Sequence, residues 1–504
     1  MSRPQIVAVT AALMLSLFLA SMEATVVGTA MPTIVSQLSG LELYSWVFSA
    51  YSLTSTTTVP IYGKLSDLYG RRVVFLTAIA IFIVGSVVAG AAASMTQLIL
   101  ARALQGLGAG GILPLVFIMI GDMFSLDQRA RFQGLFSSVW GVSSVIGPLL
   151  GGFLVDRVSW HWVFYINVVP ALIAAGLFVF GWRETRRRST QPVKLDVAGA
   201  VLLTAAVTLL LLGLFDFGTP TGWLLIGTAA ALFVVLVIVE RRAADPMLPI
   251  HLFRDRLFLI ACVHGVLVGM AIFGAVSYVP LYAQTVLGTT ATAAGAMLTP
   301  QLLCWVAASI VSSRLLLRVS YRTLIVIGMF IALAGTSLVL LASILRSPIP
   351  LLIGMAFTGT GMGMCIPSFQ LAVQSSVQRR VLGTATSTLT FSRNIGGTLG
   401  VSIMGALLSF GLAAALARAG LGEGISVDAL LDRSTAGASP LSNPALVAAL
   451  AQALQGVFLF SCASTAVALG AGLLTPRGNL RQLEKQRTER AEAEALATAD
   501  ASML

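Results

Sequence analysis

The chain has 504 residues, 57% of them hydrophobic and only 10% charged, with a mean hydropathy of +0.92. A soluble domain carries about 25% charged residues, so this chain lacks the polar surface of a soluble enzyme, and its apolar bulk excludes a disordered, collagen-like or disulfide-rich secreted protein. The formal net charge is +11, but the basic residues lie between apolar runs and form no nucleic-acid-binding patch. A polytopic membrane protein remains. The cysteines (Cys262, Cys304, Cys365, Cys462) sit far apart in apolar runs, a pattern of buried thiols with neither a zinc site nor a disulfide framework.

A helix needs about 20 apolar residues to cross the hydrocarbon core. Fourteen runs qualify: 6–34, 45–63, 73–93, 97–120, 132–155, 162–182, 197–215, 222–239, 258–286, 293–313, 323–343, 349–372, 382–413 and 446–475. Transmembrane strands would be about 10 residues long and alternating, and these runs are neither. The first run is too long for a signal peptide and reads as a retained anchor. An even number of spans puts both termini on one side. With that side as the cytoplasm, 25 of the 31 Lys and Arg fall in inside loops and tails, and four fall outside (Arg157, Arg346, Arg418, Arg433). This is the positive-inside bias. It predicts a multi-pass protein of a bacterial plasma membrane, with cytoplasmic termini and anionic lipid as neighbour. Arg102 and Arg393 are the two basic residues inside spans.

The first span carries Glu23, the only acid well inside any run; Asp216 lies at a span end. Burial disfavours a carboxylate and suits a group that loads and releases protons. Glu23 lies roughly 25 Å along its span at 1.5 Å per residue. Arg102, descending from the outer side in span 4, falls at a comparable depth and within reach. A charge there costs at least about 2.5–3.5 kcal/mol, so it points to a polar interior, with snorkelling to the outer interface as the alternative. Glu23 as a purely structural hydrogen-bond partner is its own alternative.

An internal repeat runs through the chain. GLGAGGILP at 106–114 returns as GTGMGMCIP at 359–367, an offset of 253; Gly134, Gly147 and Gly151 map onto Gly383, Gly396 and Gly400 at 249. Residues 63–72 map weakly onto 313–322. Spans 1–6 are echoed by spans 9–14, with spans 7 and 8 inserted. The expected divisions are a first six-helix bundle (1–183), an inserted pair with linkers (184–256), a second bundle (257–475) and a tail (476–504). Two like-oriented bundles are a transporter architecture that alternates access to a midplane site. The glycines of 106–111 also fit GxGxxG, but they lie inside a span, where no dinucleotide fold exists.

After span 2 the chain reads Gly63-Lys64-Leu65-Ser66-Asp67-Leu68-Tyr69-Gly70-Arg71-Arg72. Gly63 allows close helix approach, Asp67 can face a helix N-terminus or a basic side chain, and Arg71 and Arg72 can pair with acids or phosphates. The stretch resembles the G-x-L-x-D-x-x-G-R-R/K loop of the major facilitator superfamily, which implies a latch closing the cytoplasmic side. The second copy has Leu317 in place of the acid, so its latch is expected to be weaker. Arg102-Ala103-Leu104-Gln105-Gly106 is similar to the family's R-x-x-Q-G. Gly134, Ser143, Gly147, Pro148, Gly151 and Gly152 resemble the antiporter signature G-x8-G-x3-G-P-x2-G-G, with Ser143 replacing one glycine. The signature implies a pliable seal; generic close packing is the alternative. Residues 21–32 resemble the D-x-T-x-V-x-x-A-x-P stretch of the fourteen-helix drug:proton antiporter branch, with Glu23 for the usual Asp. Residues 279–288 and 391–397 are similar to further stretches of that branch.

The expected fold is therefore all-α: a major facilitator with six, two inserted and six helices. The resemblance implies a secondary transporter, not an enzyme, that exports hydrophobic or amphipathic drugs in exchange for protons and confers resistance. Glu23 and Arg102 would couple protons, with the proton as coupling ion and no cofactor. Expected partners are small hydrophobic or cationic molecules and membrane lipid; the expected state is a monomer. Tyr51, Trp140, Tyr278, Tyr282, Trp305 and Phe391 are candidate cavity residues or packing. Arg393 either binds backbone carbonyls at Gly396–Gly397 or lines the cavity. His264 in span 9 either packs or relays protons, and His161 stands at the outer end of span 6. Export of a lipid or natural product, with the arginines meeting an anionic headgroup, is the second reading. No P-loop, H-E-x-x-H or convincing catalytic constellation is present.

Overall fold

The computed structural model describes residues 2–38, 44–182, 197–215, 217–242, 250–289, 291–378, 381–418 and 444–489, and every regular element among them is a helix. Six packed elements begin the chain: α1 (Arg3–Leu38), α2 (Tyr44–Tyr69), α3 (Arg71–Gly90), α4 (Met95–Met123), α5 (Leu126–Arg157) and a broken pair, α6 (Trp162–Tyr165) with α7 (Val168–Gly181). Next come α8 (Val197–Phe215) and α9 (Pro220–Arg242). The remainder is α10 (Arg256–Thr285), the broken pair α11 (Ala291–Ala296) and α12 (Thr299–Leu315), α13 (Tyr321–Leu345), α14 (Pro348–Ser376), α15 (Leu382–Arg418) and α16 (Pro444–Leu473). Residues 480–489 form a final helix, α17.

Among the described residues, eleven helical stretches are long and apolar enough to cross a membrane. Helices α2, α5 and α8 overlie the expected spans at 45–63, 132–155 and 197–215. They fall outside the eleven: α2 and α5 are long but more polar, and α8 is apolar but short. The ends are set by local chemistry. Ser94 caps α4 by accepting from Gln97 N at 3.3 Å, and Asp255 caps α10 by accepting from Leu257 N (2.8 Å) and Phe258 N (3.1 Å); such caps satisfy amides that have no partner inside the helix. Gly70, at φ 91°, makes the tight link between α2 and α3, a left-handed backbone that glycine adopts without penalty.

The repeat is visible in the packing. Gly106 and Gly110 of α4 lie against Tyr51, Thr54, Ser55 and Thr58 of α2; Gly359 and Gly363 of α14 lie in the same way against Gln301, Trp305 and Ala308 of α12. Gly108 meets Ala78 and Phe82 of α3, as Gly361 meets Gly328 and Ala332 of α13. A Cβ at any of these glycines would run into backbone of the facing helix. The absence of side chains lets helices touch where no hydrophobic effect drives them together.

Helices α1–α7 pack on one another, as do α10–α16. The two groups meet along α5–α12, α2–α15 and α4–α15. The α8–α9 pair attaches through α8 to both α2 and α15, around an apolar cluster of Val59, Leu203, Val207, Leu211, Leu236, Phe391 and Ile395. It therefore straddles the seam between the groups.

Candidate functional site

In the first group two apolar clusters are stacked along the helices. One holds Leu13, Leu17, Phe75, Phe82 and Phe178; the other holds Met22, Val26, Leu98, Trp160 and Phe164. Glu23 and Arg102 sit between them, and the exposed fraction is 0% for Glu23 and 1% for Arg102. Arg102 Nη1 donates to Glu23 Oε1 in a buried ion pair. The same nitrogen donates to Gln105 Oε1 at 2.6 Å, and Arg102 Nε donates to Val47 O at 3.3 Å. The guanidinium lies 4.2 Å from the centroid of the Tyr51 ring, a cation–π contact that desolvation strengthens.

The other carboxylate oxygen of Glu23 accepts from Asn167 Nδ2 at 2.6 Å. Asn167 occupies the N-cap position of α7, at the break after α6, so the carboxylate stands beside a helix amino end, where the dipole favours negative charge. Gln105 Nε2 continues the network to Ser86 Oγ at 2.8 Å. Desolvation makes an unpaired charge here very costly, and these partners make burial tolerable. Asn167 Oδ1 has no hydrogen-bond partner among the described residues, which leaves one open acceptor within the network.

Glu23 and Arg102, expected within reach of each other, are brought together in the structure. Asn167 and Ser86 join them without having been among the expected residues. Asn167 could have been flagged as an amide within an apolar run, whereas a lone serine in a membrane helix is too common to stand out.

A second cluster joins the two groups of helices. Asp67 Oδ2 accepts from Thr384 N at 3.0 Å and Thr384 Oγ1 at 2.9 Å, at the first turn of α15. Its other oxygen accepts from Arg71 Nη1 at 2.6 Å. Arg71 Nε reaches Asp122 Oδ2 at 2.9 Å, and its Nη1 also donates to Ser66 Oγ at 2.6 Å. Asp67 thus meets both expected partners at once, a helix N-terminus and a basic side chain. Asp122, at the end of α4, was not anticipated. A Cβ at Gly63 would strike Ser387, and one at Gly383 would strike the Asp67 carboxylate. These two glycines are why α2 and α15 cross so closely. Nearby, Gln374 Nε2 reaches Phe117 O at 3.4 Å across the same seam. Arg72 stands outside the Asp67 cluster. In the second copy, Arg322 donates to Leu473 O at 2.8 Å and meets no acid among the described residues.

On α5, Ser143 takes the place of the signature glycine and accepts from Ser21 Oγ of α1 at 2.6 Å while donating to Val139 O at 2.8 Å. The replacement side chain thus adds a polar link between α1 and α5. Gly141 faces Val306 of α12, across the seam. Gly147 and Gly151 are buried. Gly134, Pro148 and Gly152 lie on α5, but their surroundings fall outside the described residues.

The aromatic candidates separate. Tyr51 belongs to the Arg102 cluster. Tyr278 donates to Val401 O at 3.0 Å, and the fully buried Tyr282 donates to Ala342 O at 2.8 Å; both tie helices of the second group together. Phe391 packs against α8 in the seam cluster, and Trp305 is half-buried beside Gly363. Trp140 is 38% exposed on α5. Arg393 lines a small cavity with His264 rather than joining Glu23. His161 Nδ1 is hydrogen-bonded to Ser159 Oγ at 2.6 Å and its ring stacks on Trp160. Among the described residues no cluster of His, Cys, Asp and Glu could hold a metal.

Comparison with known proteins gives the family. The family model described as Major Facilitator Superfamily matches residues 13–401. The chain is 38% identical over 404 residues to the multidrug transporter protein MdtP of Bacillus subtilis, covering 79% of this chain and 74% of that one. It is 35% identical over 399 residues to multidrug resistance protein 3 of the same organism, covering 78% of each. Its fold is similar to the crystal structure of the human organic anion transporter MFSD10 (TETRAN), at a TM-score of 0.65 and 15% identity, covering 94% of this chain and all of that one. The chain is thus a multi-pass membrane transporter of the major facilitator superfamily, and not an enzyme.

Proposed function

We propose that this transporter exports hydrophobic or amphipathic drugs in exchange for protons, by alternating access, as a fourteen-helix member of its superfamily in a bacterial plasma membrane. The observation that carries the proposal is the Glu23 carboxylate, wholly buried between apolar clusters and held by Arg102 and Asn167. A carboxylate in such surroundings is stable only while its partners stay. When rocking of the two bundles draws Arg102 away, the cheapest response is to take up a proton. Proton uptake from outside and substrate entry from inside then favour opposite-facing states. The membrane potential supplies about 2.3 kcal/mol per charge per 100 mV, which is ample for transport without nucleotide.

The Asp67–Thr384–Arg71 cluster would hold the cytoplasmic side shut, so the described state faces outward. Tyr51 moves with Arg102 in this scheme and senses its charge. Helices α1–α7 and α10–α16 act as the rocking bundles of a monomer, with α8–α9 as a brace across their seam. The multidrug transporters at 35–38% identity support small-molecule substrates.

The test is uptake of a fluorescent monocationic dye into inverted vesicles under an imposed pH gradient. Glu23→Gln is expected to abolish gradient-driven uptake, and Glu23→Asp to retain it. Equal uptake by wild type and Glu23→Gln would remove Glu23 from the mechanism. Export of a lipid or natural product is the second reading. Arg393, which forms no ion pair among the described residues, favours it, because an anionic headgroup would supply its missing partner.

A further inference from the structure

Each group of helices holds one intramembrane arginine, but their surroundings differ. Arg102 has an acid. Arg393 of α15 has none: among the described residues it forms no ion pair. It lines one cavity with His264 of α10 and Gln370 of α14. Those two side chains are each 3% exposed, and among the described residues His264 Nε2 and Gln370 Nε2 have no hydrogen-bond partner. Like the Glu23 network, this cavity lies where two apolar clusters meet, one containing Phe369 and Leu389, the other Val268 and Cys365. The repeat sets Ser144 opposite Arg393 and Met355 opposite Arg102, so the fold itself requires neither arginine. Three potential donors line this cavity, and among the described residues the guanidinium lacks a counter-ion. Buried polar groups are normally satisfied, so the missing acceptor is expected to arrive with a ligand.

We infer that the His264–Gln370–Arg393 cavity, about 20 Å³ and so roomy enough only for a small polar group, receives the anionic oxygen group of an amphipath, a carboxylate or a headgroup phosphate, whose apolar body stays outside it. The guanidinium fork offers paired N–H groups to such an oxygen pair. Gln370 adds an amide N–H, and His264 adds an Nε2–H in one tautomer. This deepens the export reading by naming a substrate class. It is independent of proton coupling, because binding needs no gradient.

The experiment uses the purified full chain in phosphatidylcholine nanodiscs. The probes are pyrenebutyrate and pyrenebutanol, which share an apolar body and differ in the charged end. Wild type is expected to bind the carboxylate at least ~10-fold more tightly than the alcohol, the scale of a charge-assisted hydrogen bond. Arg393→Met should bring the ratio to about one, with Arg393→Lys retaining part of it as the rescue variant. Gln370→Leu, which keeps the volume, should lower the ratio and leave the melting temperature near wild type, so the site is readable even if Arg393→Met folds poorly. A wild-type ratio near one, or an unchanged ratio in both Arg393→Met and Gln370→Leu, would overturn the site. Adding phosphatidylglycerol to the nanodiscs separates the sources. Displacement of pyrenebutyrate supports the site with a lipid headgroup as its ligand, and undiminished binding supports it with a soluble carboxylate. Because the binding assay applies no pH gradient, a lost preference overturns the site without bearing on proton coupling, which the vesicle uptake assay tests by itself.

Discussion

The Glu23–Arg102 pair is held in place by what would happen if either member stood alone. Removing one member of a buried pair costs about 3–5 kcal/mol, because the other charge is left uncompensated, whereas removing both is far milder. Arg102→Met should therefore lower the melting temperature more than the double variant Glu23→Gln/Arg102→Met. A cycle in thermal stability measures this, and additive losses would show that the two groups are not coupled. Sequence reasoning reached this pair because charged residues are scarce in apolar runs. Asn167 and Asp122 were harder to read. An amide at a helix break and an acid at a helix end are ordinary in composition, and only their neighbours, Glu23 and Arg71, give them a role.

The crossing of α2 and α15 is held by one carboxylate and two glycines. Asp67→Asn loses the charge-assisted bonds to Thr384 and Arg71, each worth about 1.5–3 kcal/mol. One such bond alone is enough to move a two-state equilibrium by roughly ten- to a hundredfold. Spin labels at the exposed Tyr69 and Arg318, on opposite bundles at this end, should report longer distances in Asp67→Asn; an unchanged distribution would deny the latch. Gly383→Leu should separate the same helices by bulk alone, because its side chain would occupy the place of the Asp67 carboxylate. The glycines of α4 and α14 were legible in the sequence as a repeat. Which helix each one faces was not: Gly106 and Gly108 lie two residues apart yet contact α2 and α3 respectively. A helix of 3.6 residues per turn sends such neighbours to different faces.

For the whole molecule, the bias of basic residues predicts which side the ends occupy. A cysteine introduced at Lys485, in a variant lacking Cys262, Cys304, Cys365 and Cys462, should react with a membrane-impermeant maleimide in inverted vesicles and not in intact cells. The opposite pattern would reverse the orientation. The α8–α9 pair joins both groups of helices through one apolar cluster, to which α8 contributes Leu203, Val207 and Leu211 at helical spacing. Leu203→Asp puts an unpaired acid into that cluster and should loosen the pair, so the melting temperature should fall; an unchanged value would deny the brace. Fourteen apolar runs were legible in the chain, while eleven helices among the described residues are long and apolar enough to cross a membrane by themselves. Of the helices outside the eleven, α2 and α5 carry more polar side chains and α8 is apolar but short.

Composition and periodicity by themselves determined the membrane class, the helical fold, the repeat and the lone acid–base pair, because the bilayer excludes unsatisfied backbone and makes every buried charge conspicuous. Tertiary structure alone decided who meets whom: Asn167 on Glu23, Asp122 on Arg71, Thr384 on Asp67, and Arg393 with no acid among the described residues. Those contacts join residues tens to hundreds of positions apart. Their geometry depends on how helices rotate and tilt against one another, and no local pattern in the chain encodes that.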